Sequence, residues 1–185
     1  MSRIDEAFEK VDRRDFLPKD VRELWDHDRP LPIGYGQTNS QPSTVRRMLG
    51  WLDVQPGQSV LDIGSGSGWT SALLAYLVGK NGSVKAVELV PELVKMGREN
   101  CKNTGIINVT FFQASNQLGL PEFGPFDRIL LSASALQFPD VLLDQLAGPG
   151  KLVVPVGDTI YEIFKTEDGQ IDRVVHPGYV FVPLL

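Results

Sequence analysis

The stretch "VLDIGSGSGWTS", residues 60–71, decides the fold. It opens as a short apolar run, passes through Gly64, Gly66 and Gly68, and continues into the apolar segment "WTSALLAYLVG". A short strand that turns through glycines directly into a helix is the first half of a βαβ unit. Outward from it the alternation repeats. "SVKAVEL" (83–89) reads as a strand, and "PELVKMGRENCKNTG" as a helix with Pro91 in its first turn and Gly105 past its end. "NVTFFQA" (108–114) is a third strand. "FDRILLSASA" (126–135) is a fourth, so continuously apolar that both its faces are expected to be buried. "PDVLLDQLAG" follows as a helix and "KLVVPVG" (151–157) as a strand. "TIYEIFKTEDGQIDRVV" reads as a hairpin turning at Asp168-Gly169, and "GYVFVPLL" as a last strand. This alternation predicts an α/β fold: a doubly wound, mostly parallel seven-stranded sheet with helices on both faces. Upstream, the pattern predicts helices near 3–10 and 19–25 separated by Pro18, a loop over 27–41, and a helix over 42–52 opened by Pro42. A single domain over 1–185 is expected, with an N-terminal helical and loop region (1–56) leading into the sheet (57–185).

Composition narrows the function classes. The chain has 185 residues, 42% hydrophobic and 22% charged, which suits one soluble domain with one core. A domain of this size buries about 70% of the surface its unfolded chain exposes. The formal net charge of −5 argues against a nucleic-acid grip, which needs a basic face. No apolar run reaches the roughly 18 residues of a membrane span. "MSRIDEAFEK" has no apolar signal core, so a cytoplasmic protein is expected. Cys101 is the only cysteine, and His27 and His176 are the only histidines. No intrachain disulfide is possible, and a zinc site built from these residue types has too few members.

The glycine loop lies where a doubly wound sheet binds ligands, at the carboxyl end of its first strand. Its spacing decides between ligands. Gly64, Gly66 and Gly68 form G-x-G-x-G with Trp at position 69, not the G-x-G-x-x-G of a dinucleotide site, and no phosphate-loop pattern is present. A nicotinamide dehydrogenase is therefore disfavoured. Asp62, two residues before the first glycine, brings a carboxylate to the loop region. That suits a positively charged ligand better than a pyrophosphate. S-adenosylmethionine carries an ammonium and a sulfonium and has no phosphate. Glu88 ends the second strand, 20 residues past Gly68, where an acidic residue accepts from ribose hydroxyls. The plainer readings are a ligand-free glycine turn and an Asp62 that merely caps. The spacing of Glu88 favours the ligand. D-x-G-x-G-x-G with this acidic residue resembles the cofactor motif of class I methyltransferases, with Ser65 inside the loop.

A second stretch, "LPIGYGQTNSQP" (31–42), is polar, uncharged and bracketed by prolines. Together with "AFEKVDRRDFLP", "VLDIGSGSGWTSALLA", "PFDRILLSASA", "LLDQLAGPGKLVVPVG" and "FVPLL", in this order from about residue 5 to the C-terminus, it resembles the protein-L-isoaspartate O-methyltransferases. The G-Q-T-x-S-x-P segment is the most specific part. The resemblance implies a Rossmann-like class I methyltransferase, S-adenosylmethionine as cofactor, and methylation of isoaspartyl residues in damaged proteins, as a step of repair. It implies Ser40 as the active-site serine and Thr38 as its neighbour. It also places Ser115 and Asn116 at the adenine, where the family usually has Gly-Asp-Gly and this chain has Ala114-Ser115-Asn116. Asn39 stands where the family has a branched apolar residue.

The residue types fit that chemistry. A carboxylate is ionised at neutral pH, with a typical pKa near 4, and needs no general base to attack a methyl sulfonium. Charge is lost in the reaction, so a strong cationic clamp would favour the ground state over the transition state. Neutral donors such as Thr38 and Ser40 suit the task. On residue type alone, Ser40 equally reads as the cap of the helix at Pro42. Trp69 reads equally as a cofactor stack or as packing, and Arg46 and Arg47 as a solvated helix face. Two rival functions stay open: a class I methyltransferase for another carboxylate or small molecule, for which Asn39 speaks, and a catalytically degenerate binding homologue, for which 114–116 speaks. The expected partner is an isoaspartyl peptide, with no nucleic acid, membrane or metal, and the chain is expected to act as a monomer.

Overall fold

The computed structural model describes residues 1–184. Its centre is a seven-stranded sheet in the order β5-β4-β3-β6-β7-β8-β9. The strands are β3 (Ser59–Ile63), β4 (Ser83–Glu88), β5 (Val109–Gln113), β6 (Phe126–Leu131), β7 (Leu146–Val156), β8 (Thr159–Lys165) and β9 (Ile171–Pro177). The first five pair in parallel and the last two close the edge as antiparallel neighbours. The order reverses at β3, so β4 and β6 flank it and a crevice opens at its carboxyl end.

The helices α3 (Trp69–Val78) and α4 (Pro91–Asn103) connect the parallel strands, while α1 (Arg3–Lys10) and α2 (Pro42–Leu52) precede the sheet. Helix α3 is apolar all round because it is covered on every side but one, with Tyr76 its only residue not buried. Ala7, Val11 and Phe16 of the N-terminal segment share one core with Leu49, Leu52, Leu73 and Leu77. That packing holds the N-terminal segment beside the glycine loop.

Four expectations are corrected. The supposed loop at 27–41 contains an antiparallel hairpin, β1 (Leu31–Gly34) with β2 (Gln37–Asn39). Buried Leu31 and Ile33 alternate with exposed Pro32 and Gly34, which is the two-residue period of a strand. The helix expected near 19–25 is a single 3-10 turn at Arg22–Leu24, joined by another at Arg13–Phe16. The helix expected over 139–148 is one turn, α5 (Val141–Asp144). The turn ends at Asp144, and Leu146 already pairs with Phe126, so β7 begins five residues earlier than expected and takes in Gly148 and Pro149. The last stretch, within residues 178–184, forms no strand and makes one bridge, Ser134 with Pro183. Leu185, the end of that expected strand, lies outside the described residues.

Candidate active site

The carboxyl ends of β3, β4 and β6 open into a cavity of about 230 Å³. Its walls come from five parts of the chain: the Gln37–Ser40 segment, the glycine loop with the start of α3, the end of β4 with the segments that follow β4 and β5, Ser132 and Ala133 past β6, and Val182–Leu184. Glu88 is the only ionisable group among the described residues that line it.

The glycine loop is shaped by backbone geometry. Gly64 and Ser65 both donate their N–H groups to the Val87 carbonyl, at 2.8 and 3.1 Å, which ties the loop to the end of β4. Gly68 has φ +88°, and a Cβ there would stand 3.0 Å from Gly97 Cα, where α3 and α4 come closest. Gly66 has φ +53° and lines the cavity. Ser65 lines it too, and its buried hydroxyl has no partner among the described residues. A buried polar atom without a partner at a cavity wall marks a place where a ligand completes the bonding.

Glu88 is 7% exposed. One carboxylate oxygen accepts from Gly66 N at 2.8 Å and the other from Val90 N at 3.0 Å. Each oxygen retains a lone pair, so the group can still accept from two neighbouring hydroxyls. Ser115 and Asn116 stand exposed at the far rim, beside Gln117 and Leu118. Ser115 Oγ accepts from Gln117 N at 3.2 Å, which fixes a tight polar turn there.

Asp62 departs from the sequence reading. It does not line the cavity but lies beneath it, 0% exposed. Ser71 Oγ of α3 donates to it at 2.5 Å and Ser132 Oγ, past β6, at 3.2 Å. Burial raises its pKa to about 6, against the lowering effect of both serines, and nearby Glu88 adds to the rise. It lies under the cavity floor, while Gly64, Ser65 and Gly66 line the cavity itself. Gly68 likewise supports the loop without lining the cavity.

Thr38 and Ser40 both line the cavity. The capping reading of Ser40 fails, because the N-cap of α2 is Gln41 and its side chain makes no cap bond. Asp28 does that work from the preceding loop: its carboxylate accepts from Ser43 N at 2.8 Å and from Gln41 Nε2 at 3.1 Å. The Ser40 hydroxyl has no bond to any described residue and is free for a ligand.

Trp69 is among the residues that line the cavity, and it is buried, donates Nε1 to the Val11 carbonyl at 3.3 Å, and meets Phe8 edge-on. The remaining candidates lie outside the lining. Arg46 pairs with Asp5 and covers Phe8, and Arg47 reaches Tyr179 Oη. Burial pushes the Cys101 thiol up to about 12, which makes it inert. His176 stacks on Trp51 at 3.8 Å, outside the cavity lining.

Sequence reading missed Arg13, Ser132 and the C-terminal wall. Arg13 is 4% exposed and grips the 25–40 segment through backbone carbonyls. No local pattern distinguishes it from the adjacent, exposed Arg14.

A cavity with one carboxylate poised for a diol, an unpartnered hydroxyl in a glycine loop and no cationic residue fits S-adenosylmethionine, which is cationic and free of phosphate. The comparisons agree. The family model for protein-L-isoaspartate(D-aspartate) O-methyltransferase matches residues 1–185. A protein-L-isoaspartate O-methyltransferase of Methanopyrus kandleri is 44% identical over 100% of this chain and 84% of its own length. One from Methanocella arvoryzae is 44% identical over 96% of this chain and 95% of its own. Among solved structures, a Plasmodium falciparum protein-L-isoaspartate O-methyltransferase in complex with S-adenosyl-L-homocysteine superposes with TM-score 0.87 and 29% identity, over 100% of this chain and 91% of that one. Another structure of the same name gives TM-score 0.89 at 26% identity, with this chain spanning 61% of its length. This chain therefore belongs to the protein-L-isoaspartate(D-aspartate) O-methyltransferase family.

Proposed function

We propose that this S-adenosylmethionine-dependent methyltransferase esterifies the free α-carboxylate of isoaspartyl residues in damaged proteins and peptides. One observation carries the reading: the uncharged Gln37–Ser40 segment, with the Ser40 hydroxyl free, faces the glycine loop and Glu88 across a single cavity. The cofactor, when bound, supplies an electrophilic methyl group on sulfonium. Gly64, Ser65, Gly66, Glu88, Ser115 and Asn116 are the residues that would hold it, while Asp62 and Gly68 support the loop from behind.

The acceptor carboxylate arrives ionised, so the site has no need of a base. Its oxygen forms a bond to the methyl carbon as the carbon–sulfur bond breaks and the electron pair stays on sulfur. The products are a methyl ester and S-adenosylhomocysteine. Thr38 and Ser40 hydroxyls orient the carboxylate without a full opposing charge, which avoids overstabilising the ground state. Alignment is then the main catalytic contribution, and in ideal intramolecular cases it supplies roughly 7–11 kcal/mol. The rival reading, another small acceptor, rested on Asn39. That side chain lines the cavity but is 4% exposed, and it already accepts from Arg13 Nε and donates to Ser67 Oγ, which favours a use within the site's framework over the reading of a different acceptor.

Residues 1–56 contribute the acceptor segment, and 57–185 contribute the cofactor cradle and the C-terminal wall. Among the described residues no helix is long and apolar enough to cross a membrane. The test is transfer of a labelled methyl group to a peptide holding one isoaspartyl residue, beside the same peptide with aspartate. Label on the isoaspartyl form alone supports the proposal; equal or absent label on both overturns it.

A further inference from the structure

Arg13 and Asn39 form a buried polar link between the two halves of the site. Arg13 Nε donates to Asn39 Oδ1 at 2.8 Å, and Asn39 Nδ2 donates to Ser67 Oγ at 3.2 Å. Ser67 lies in the glycine loop, 2% exposed, and its carbonyl accepts from Asn100 Nδ2 at 3.0 Å. The other guanidinium nitrogens of Arg13 donate to the carbonyls of Trp25, His27, Arg29 and Ser40, at 2.9–3.0 Å, and to that of Asn39 at 3.3 Å. The guanidinium also stands 5.3 Å from the Trp69 ring centroid, over the start of α3. Burial lowers its pKa to about 10, so it remains a cation at neutral pH. Carbonyl groups of the segment that ends at Ser40 make most of the hydrogen bonds to this buried charge, and the Asp28 carboxylate stabilises it from nearby.

The consequence is mechanical. Arg13 fixes the backbone of residues 39 and 40, and Asn39 ties that same backbone to the loop that would hold the cofactor. An apolar residue at 39 would have neither a donor for Ser67 nor an acceptor for Arg13 Nε. This chain thus has a side-chain connection between acceptor segment and cofactor loop that an apolar residue cannot make. We propose that Arg13 and Asn39 are positioning residues that couple the two halves, so that seating the cofactor orders the Gln37–Ser40 segment for the acceptor. The proposal rests on the cofactor reading above, and is independent of which carboxylate is methylated.

Hydrogen exchange of the full-length chain, with and without saturating S-adenosylhomocysteine, tests it without any peptide. Calorimetry on the same samples establishes that the ligand is bound. In the wild type, ligand is expected to slow exchange across residues 37–41 by about fivefold or more, the lower end of ordinary coupling between sites. Asn39→Leu, and separately the smaller change Ser67→Ala, should abolish that ligand-dependent slowing. Protection of residues 63–66 should persist in both variants at ligand concentrations that calorimetry shows to be saturating. A residue with a merely structural role would raise exchange in the free protein yet leave the ligand-dependent difference intact. Slowing at 37–41 that persists in both variants assigns it to direct ligand contact and overturns the proposal. So does unchanged exchange at 37–41 in the liganded wild type. Failure of the ligand to bind the wild type overturns the cofactor reading and this proposal with it, whereas failed methyl transfer to isoaspartyl peptide overturns only the choice of acceptor.

Discussion

Replacing Asp62 by asparagine should make the protein more stable at neutral pH and should change the pH dependence of its stability. Asp62 is fully buried, accepts from two serine hydroxyls, and has its pKa raised from 3.8 to about 6. Because the folded-state pKa is the higher one, the folded protein retains this proton over a range where the unfolded chain has lost it. The stabilising contribution is therefore complete below about pH 3.8 and is lost as the pH rises through about 6. A shift of about two units corresponds to roughly 3 kcal/mol. Asparagine is nearly isosteric and stays neutral. Its oxygen can accept from one serine while its amide donates to the other. Urea unfolding followed by circular dichroism, at steps from about pH 4 to about pH 7, measures the stability of variant and wild type. Taking their difference removes the common contributions of Asp5, Asp12, Asp28 and Asp168, whose pKa values are lowered and whose stabilisation is instead lost as pH falls. That difference should move in favour of Asp62→Asn by roughly 2 kcal/mol between about pH 4 and about pH 7, the rest of the change lying below about pH 4. A pH-independent difference, or one that moves against the variant as pH rises, would refute the reasoning.

Four further variants test the site and the helix beside it. Glu88→Gln should weaken S-adenosylhomocysteine binding about tenfold by calorimetry, since two charge-assisted hydroxyl contacts become neutral ones and the amide has one acceptor oxygen. Ser40→Ala should lower methyl transfer about tenfold or more with the melting temperature unchanged, because the cap of α2 comes from Asp28; Asp28→Ala should show the converse, a loss of about 1 kcal/mol in stability. Ser115→Asp should tighten S-adenosylhomocysteine binding about fivefold, by placing a charged acceptor at the rim where a neutral hydroxyl now stands, while the bond from Gln117 N is kept.

The strand–glycine–helix stretch at 60–71 was legible because its signals are local: an apolar run, glycines at fixed spacing, and a helix long enough to read. Glu88 was legible by its distance from the loop and the end of its strand. The hairpin at 31–39 was hidden by Pro32 and by a Gly34-Tyr35-Gly36 turn in which all three residues have positive φ, which reads as loop. The short α5 was overcalled because "VLLDQL" has helical composition, whereas the pairing of Leu146 with Phe126 is a tertiary fact. The buried place of Asp62 is not legible in the sequence, since strand alternation alone does not say which side of the loop is floor. Arg13 was invisible because its partners lie at residues 25–40, brought together only by the packing of the N-terminal segment on α3.

The most direct measurement is mass spectrometry of the peptide product. A peptide with one isoaspartyl residue and its aspartyl twin are each incubated with the enzyme and S-adenosylmethionine, and the products are fragmented to locate the added methyl group. The account predicts one methyl ester, on the α-carboxylate of the isoaspartyl residue, that decays to a succinimide in mild base, with the aspartyl twin unmodified. Methyl groups on ordinary side-chain carboxylates, or none on the isoaspartyl peptide under conditions where S-adenosylhomocysteine binds, would contradict it.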